Sequence, residues 1–224
     1  GIVQKEDITE NGIKYIKQDG SVGYYQTVNK TTPVAGDVKY VDRNGDGVVD
    51  DNDRDIIGNP NPDFTYGFQT KVSWKSLSLS ASFNGVQGRD ILNVGNRYNN
   101  TPGTKSNNVT RKAFQNMWTD ENPSNLYPKS TFVVQNMVMD RYVEDGSYLR
   151  CSDITLSYVL PAKWTNKIGI KNTSVYASVK NAFVITDYSG YDPEVNSFAF
   201  DGLRPGVDMN SYPTPRSFVF GLNL

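Results

Sequence analysis

The sequence predicts an all-β protein, a stretch of a large antiparallel transmembrane β-barrel with long loops on one side. Three observations carry that prediction. Five runs alternate with period two, each with one face apolar or aromatic. Their opposite faces are small and hydrated, rich in Ser, Asn and Gln. The connections between runs alternate short with long, as they do in barrels that cross a bilayer. Composition points the same way: only 37% of the 224 residues are hydrophobic, yet 12% are aromatic. A wall with one apolar and one wet face needs that mixture, whereas a thick soluble core needs more Leu, Ile and Val.

Residues 1–41 alternate weakly and are broken by Gly12, Gly20, Gly23 and Gly36, so they read as loop with at most a short hairpin. The stretch Asp42 to Asp53, DRNGDGVVDDND, carries specific chemistry. With Asp42 at position 1 of a calcium loop, Asn44 falls at 3, Asp46 at 5, Val48 at 7, Asp50 at 9 and Asp53 at 12. A hard cation takes six to eight oxygens, and this spacing offers carboxylates and an amide on alternate residues. Gly47 at position 6 permits the sharp turn, and Val48 offers its backbone carbonyl. Asp53 stands where the bidentate glutamate of an EF-hand usually stands, as in the loops of dockerins. No long amphipathic helix flanks the loop, so it is expected to bind a structural Ca2+ in a β context. The competing reading is an acidic, Gly/Asn-rich surface turn.

From Asp63 the alternation sharpens. Phe64, Tyr66, Phe68, Thr70, Val72 and Trp74 share one face; after a Lys75-Ser76 turn, Leu77, Leu79, Ala81 and Phe83 share the next. Ile154, Leu156, Tyr158 and Leu160 repeat the pattern, then Val175, Ala177, Val179, Phe183 and Ile185, and finally Phe218, Phe220, Leu222 and Leu224. About ten residues is the length a tilted strand needs to cross a bilayer. The short connections are 75–76 and 161–171; the long ones are 85–147 and 187–212. Within 85–147, Thr110 to Trp118 is a helical candidate with Thr110 as N-cap, and Met117, Trp118 and Met137 read as loop packing.

Several function classes are excluded or weakened. There is no histidine, which removes imidazole general bases and most zinc sites. The single cysteine, Cys151, makes no internal disulfide and reads as a small strand residue. A net charge of −1 argues against nucleic acid. The acidic pairs Glu144-Asp145 and Asp192/Glu194 have no further catalytic motif beside them, so no enzyme is expected.

Four segments together resemble one family: GDVKYVDRNGDGVVDDNDRDIIGNPNPDFTYGF, EDGSYLRCSDITLSYVLP, VYASVKNAFVITDYSGYDPE and YPTPRSFVFGLNL. Their order and spacing resemble the C-terminal end of SusC/RagA-type TonB-dependent outer-membrane importers of Bacteroidetes. Two positions depart from that pattern. Cys151 stands where an apolar or basic residue is common, and Leu224 stands where such barrels usually end on an aromatic.

The resemblance implies a 22-stranded barrel with an N-terminal plug, of which 63–224 is the last five strands and 1–62 an extracellular region holding the calcium loop. It also implies a SusD-like surface lipoprotein partner, coupling to TonB, and uptake of oligosaccharides or peptides through the outer membrane. Loops 85–147 and 187–212 are then extracellular, and Trp74, Tyr158 and Trp164 form a periplasmic aromatic girdle. Both outer strands would pair with the rest of the barrel. The alternative is a secreted, calcium-stapled β-sandwich that binds glycans.

Overall fold

The computed structural model describes residues 1–28, 30–101, 108–130, 138–166, 169–170 and 173–224. The chain forms two compact units: residues 1–57 with 95–139, and residues 58–94 with 140–224. That division differs from a boundary at 62/63, because 95–139 packs with the first segment. Met137 lies outside the described residues.

The first unit contains the short hairpin expected within 1–41, over residues 12–25, and adds further strands where loop was expected. Strands β1 (Ile8–Thr9), β2 (Gly12–Ile16) and β3 (Val22–Tyr25) form an antiparallel sheet, while β4 (Thr27–Val28) pairs in parallel with β5 (Val48–Val49). Period-two alternation, weak as it is, decides the core: Ile13, Tyr15 and Tyr25 turn inward with Val3, Val28 and Val49. Tyr15 lies directly opposite Gly23, and its ring occupies the space a Cβ at Gly23 would take. The ring thus covers the bare glycine, and its hydroxyl donates to the Asp42 carbonyl at 2.6 Å.

Residues 95–139 are tied to the start of the chain by polar contacts. Asn125 Oδ1 accepts the Ile2 amide at 2.7 Å, and the buried Trp118 donates its indole N–H to Gln4 at 3.0 Å. Met117 bridges to Tyr127. The expected helix forms over Arg111–Asn116, with the Thr110 hydroxyl accepting the Ala113 amide.

The second unit is built on five long antiparallel strands in the order β13-β11-β10-β7-β6. They are β6 (Phe64–Trp74), β7 (Leu77–Gln87), β10 (Tyr148–Val159), β11 (Ser174–Thr186) and β13 (Ser217–Asn223). Lys75, at φ 53, makes the tight β6–β7 turn. A small second sheet, β12-β8-β9, joins β8 (Asp90–Asn93), β9 (Val143–Asp145) and β12 (Val207–Asp208) from the long connections.

One irregularity governs the five-stranded sheet. The β10 register shifts between Cys151 and Asp153, so Ser152 is an extra residue against β7, and on the other side Asn181 and Ala182 of β11 together oppose Ser152. Asn181 takes φ 52, a left-handed conformation that Asn tolerates. The Ser152 hydroxyl donates to the Ser82 carbonyl at 3.1 Å. A single inserted residue exchanges the two faces of a strand. Above the bulge Tyr148 and Arg150 therefore join the polar face, and below it Ile154, Leu156 and Tyr158 lie on the apolar face.

The Tyr15–Gly23 contact links the first core to the 42–53 loop. A Gly23→Ala substitution drives a methyl into the Tyr15 ring, at a cost of about 1–3 kcal/mol. Amide hydrogen exchange at Gly45 and Gly47 is expected to accelerate with it, and unchanged exchange there would show that the loop is held independently of Tyr15.

Candidate calcium loop and bilayer-facing sheet

The Asp42–Asp53 loop sits where β5 leaves it, with Val49 in the core and the Gly47 carbonyl accepting the Gln26 amide at 2.9 Å. Its side chains are turned onto its own backbone. Asp42 accepts the Gly45 amide at 2.7 Å and the Gly47 amide at 2.8 Å. Asn44, Asp46 and Asp50 each accept the amide two residues on, from Asp46, Val48 and Asn52. Asp53 accepts from Arg43 and Asp50. Gly45 and Gly47 hold φ 79 and 84, which lets the chain double back at the expected position.

The donor set fits a hard cation: four carboxylates, one amide oxygen and the Val48 carbonyl within twelve residues. Among the described residues none of the four carboxylates makes an ion pair; Arg43 and Arg54 pair instead with Asp55 and Asp51, outside the ligand positions. Asp42 is nonetheless buried, with 4% of its surface exposed. Among the described residues no three His, Cys, Asp or Glu side chains converge as a ready-made metal cage. A carboxylate oxygen that accepts one N–H retains a second lone pair, whereas Asp53 Oδ1 accepts two, from the Arg43 and Asn44 amides.

The five-stranded sheet has two unlike faces. On one, register aligns Trp74, Leu77, Tyr158, Val175 and Leu222 in a row, then Val72, Leu79, Leu156, Ala177 and Phe220, then Thr70, Ala81, Ile154, Val179 and Phe218. Next comes Phe68, stacked on Phe83 at 4.5 Å, whose ring meets Phe183 edge-on at 6.4 Å. Cys151 lies in register between Phe83 and Phe183 and is fully buried, the small strand residue expected of it.

Among the described residues nothing covers this face. Phe68 is 53% exposed, Trp74 68% and Phe220 79%. A soluble domain does not leave so large a contiguous apolar surface uncovered. At about 3.3 Å per residue and a tilt near 45°, eleven residues span roughly 25 Å, the height of a barrel's apolar band. Trp74, Tyr158 and the exposed Trp164 gather at the end with the short β6–β7 turn.

The opposite face carries Gln69, Lys71, Ser73, Ser78, Ser80, Ser82 and Thr155. Asp153 accepts from Thr155 and Ser178 hydroxyls at 2.7 Å each. Among the described residues β6 and β13 each pair on one side only.

The two carboxylate pairs are engaged structurally. Glu144 accepts the Ser189 amide and hydroxyl, both at 2.9 Å, and the Asn93 amide group at 3.0 Å. Asp192 and Glu194 both face Arg150, whose Nη2 is 2.5 Å from Asp192 and whose Nε is 2.7 Å from Glu194, the latter an ionic contact not aligned as a hydrogen bond. Sequence alone missed Arg150 because the bulge breaks the alternation that would have placed it.

A two-faced antiparallel sheet with an uncovered apolar face, a polar face and both edges open is the wall of a transmembrane β-barrel. No family model matches the chain. A TonB-dependent receptor of Formosa agariphila is 34% identical over 199 residues, covering 85% of this chain and 20% of the relative. TonB-dependent receptor SusC of Bacteroides thetaiotaomicron is 34% identical over 192 residues, covering 83% and 17%.

Among solved structures, the RagAB peptide transporter aligns with a TM-score of 0.63 at 28% identity, over 75% of this chain and 18% of that one. The RagAB peptide importer in its open-open state aligns with a TM-score of 0.64 at 25% identity, over 99% and 21%. The chain belongs to the SusC/RagA-type TonB-dependent receptors, and spans about a fifth of the length of the curated relatives it matches.

Burial pushes the Asp192 carboxyl up, but the amides of Glu194 and Thr214 and the Arg150 guanidinium outweigh it and hold the group below the usual carboxylate range. A depressed folded pKa stabilises above the ordinary value of about 3.9, and that contribution is lost as pH falls through the lower folded value. Pepsin cleavage within 195–214 is therefore expected to be absent at about pH 4.5 and to appear only below about pH 3.9. Equal cleavage at both pH values would show that Asp192 ionisation does not hold this segment.

Proposed function

We propose that the chain is the C-terminal barrel segment of a TonB-dependent importer that carries oligosaccharides or peptides across the outer membrane. The observation that carries the reading is the uncovered apolar face of five strands, backed on the other side by a wall of Ser, Gln, Asn and Lys. The first face suits lipid and the second an aqueous passage. The receptor names of the relatives and the peptide-importer names of the structural neighbours support the transport reading. They also favour a non-enzymatic role, and a barrel over a secreted glycan-binding sandwich, whose apolar faces would pack on each other.

In this reading the long loops 85–147 and 187–212 face outward toward a SusD-like lipoprotein, and the short turns face the periplasm. The plug and the TonB-contacting segment belong to the rest of the same protein. The β6 and β13 edges pair with neighbouring strands of the full barrel, because an open edge in hydrocarbon leaves backbone groups unsatisfied at several kcal/mol each.

Arginine substitutions test the two faces in the full-length protein. Phe68→Arg places a charge in lipid and costs about 2–4 kcal/mol at mid-depth, whereas Gln69→Arg on the polar face is tolerated. Equilibrium unfolding in bilayer vesicles reads both. Equal tolerance would sink the barrel reading and favour a soluble two-sided sheet.

The 42–53 loop, we further propose, binds one structural Ca2+ through Asp42, Asn44, Asp46, Asp50, Asp53 and the Val48 carbonyl. Support comes from the oxygen-only donor set and from carboxylates that, among the described residues, make no ion pair. Bound calcium supplies a fixed positive charge that staples the loop to β4 and β5. Extracellular sites of this kind bind at about 0.1–1 mM. Chelation with EGTA is expected to expose residues 40–60 to protease, with calcium restoring protection except in Asp42→Ala or Asp46→Ala. Protection indifferent to calcium in the unsubstituted protein would rule the ion out.

A further inference from the structure

The loop after β11 does not stand away from the sheet; it turns back onto the polar face. Arg150, on that face because of the Ser152 bulge, is buried with 5% exposure, as is Asp192 with 3%. Its guanidinium touches carboxylates on both sides, Asp192 and Glu194. Three further groups close on the same spot. The Tyr148 hydroxyl donates to Glu194 Oε1 at 2.6 Å, Asn84 Nδ2 donates to the same oxygen at 3.2 Å, and Arg89 Nη2 donates to the Pro193 carbonyl at 2.7 Å. Asp192 in turn accepts the Thr214 amide at 3.1 Å, so the same carboxylate that meets Arg150 gathers both ends of the loop.

The contacts are uneven in a telling way. Asp192 is sealed, while the Glu194 side chain remains 33% exposed at the rim. The rest of the loop has ties of its own: Tyr188 is buried and donates to Asp208 at 2.7 Å, and β12 pairs with β8, while Tyr191, Phe200, Leu203 and Tyr212 point to solvent. The stretch 191–195 meets the polar face chiefly through this buried charge group, and it is released when the group loses its partner, because an unpaired buried carboxylate is far costlier than a paired one. The strands themselves are held by their own ladders and do not depend on it.

We propose that Arg150 is a positioning residue, the centre of a charge clasp that straps the stretch 191–195 onto the polar wall of β7 and β10. Docked there, the strap lines the aqueous passage; unclasped, it leaves the wall while β12 stays paired with β8 and the five-stranded sheet stays intact. This inference rests on the transporter reading for the identity of the polar wall as the passage, but the clasp is tested independently of transport.

The test uses the full-length protein in outer-membrane vesicles and peptide-resolved maleimide labelling. Val195→Cys reports on the strap, since Val195 is buried in the docked segment. Cys151, fully buried within the sheet, reports on the strands. Adding Arg150→Met to Val195→Cys is expected to raise labelling at 195 at least tenfold while Cys151 stays unlabelled. Arg150→Lys keeps the charge without the planar fork, so it restores protection only in part. Combining Arg150→Met with Glu194→Met is expected to expose position 195 no further than Arg150→Met alone. Unchanged labelling at 195 in Arg150→Met overturns the clasp, as does Cys151 labelling that rises in step with 195. Loss of uptake in the unsubstituted protein would count against the transporter reading instead.

Discussion

A strand that separates lipid from water has to keep every side chain on its proper face, and in β10 that constraint is met by one extra residue. Strict alternation would put Tyr148 and Arg150 on the same side as Ile154, Leu156 and Tyr158. The Ser152 bulge reverses the parity of the upper half. Arg150 is thereby delivered to the polar wall, where Asp192 and Glu194 wait for it. Cys151 goes the other way, beneath the rings of Phe83 and Phe183. Without the bulge a guanidinium would meet hydrocarbon.

The same irregularity explains what the sequence made legible. The apolar rows at 64–74, 77–83, 175–179 and 218–222 follow plain alternation, and all of them become strands with that face outward. In β10 only the half beyond the bulge was readable, since a parity break looks like the end of a strand. The clasp was hidden for that reason, although Asp192 and Glu194 stood out as a carboxylate pair. Residues 1–28 were obscured differently. Strands of two to five residues interrupted by Gly12, Gly20 and Gly23 give too few turns of the pattern, and Tyr15 fills the space above Gly23 only through a cross-strand contact. The joining of 95–139 to the first segment rests on Trp118–Gln4 and Ile2–Asn125, contacts more than a hundred residues apart. The 42–53 loop was the reverse case: its chemistry lies in consecutive residues, and its turn glycines and side-chain-to-amide bonds fall where the spacing puts them.

The unusual composition now has a structural account. A chain that is 37% hydrophobic and 12% aromatic is poor material for a thick core. In the first unit the core cluster is Val3, Ile13, Tyr15, Tyr25, Val28 and Val49, with Tyr40 packed against them. In the second unit Tyr142, Tyr148 and Tyr188 are buried, but many aromatic side chains go to the outer surface: Phe64, Phe68, Trp74, Phe218 and Phe220 are more than half exposed. In water that arrangement would forfeit about 25 cal/mol for every Å2 of apolar surface left wet. Against lipid the penalty vanishes, and the polar residues that dilute the composition are the ones that face the aqueous side. The bilayer therefore takes the place of the missing core, and the stability of this segment resides in its backbone ladders and in the strands that complete them.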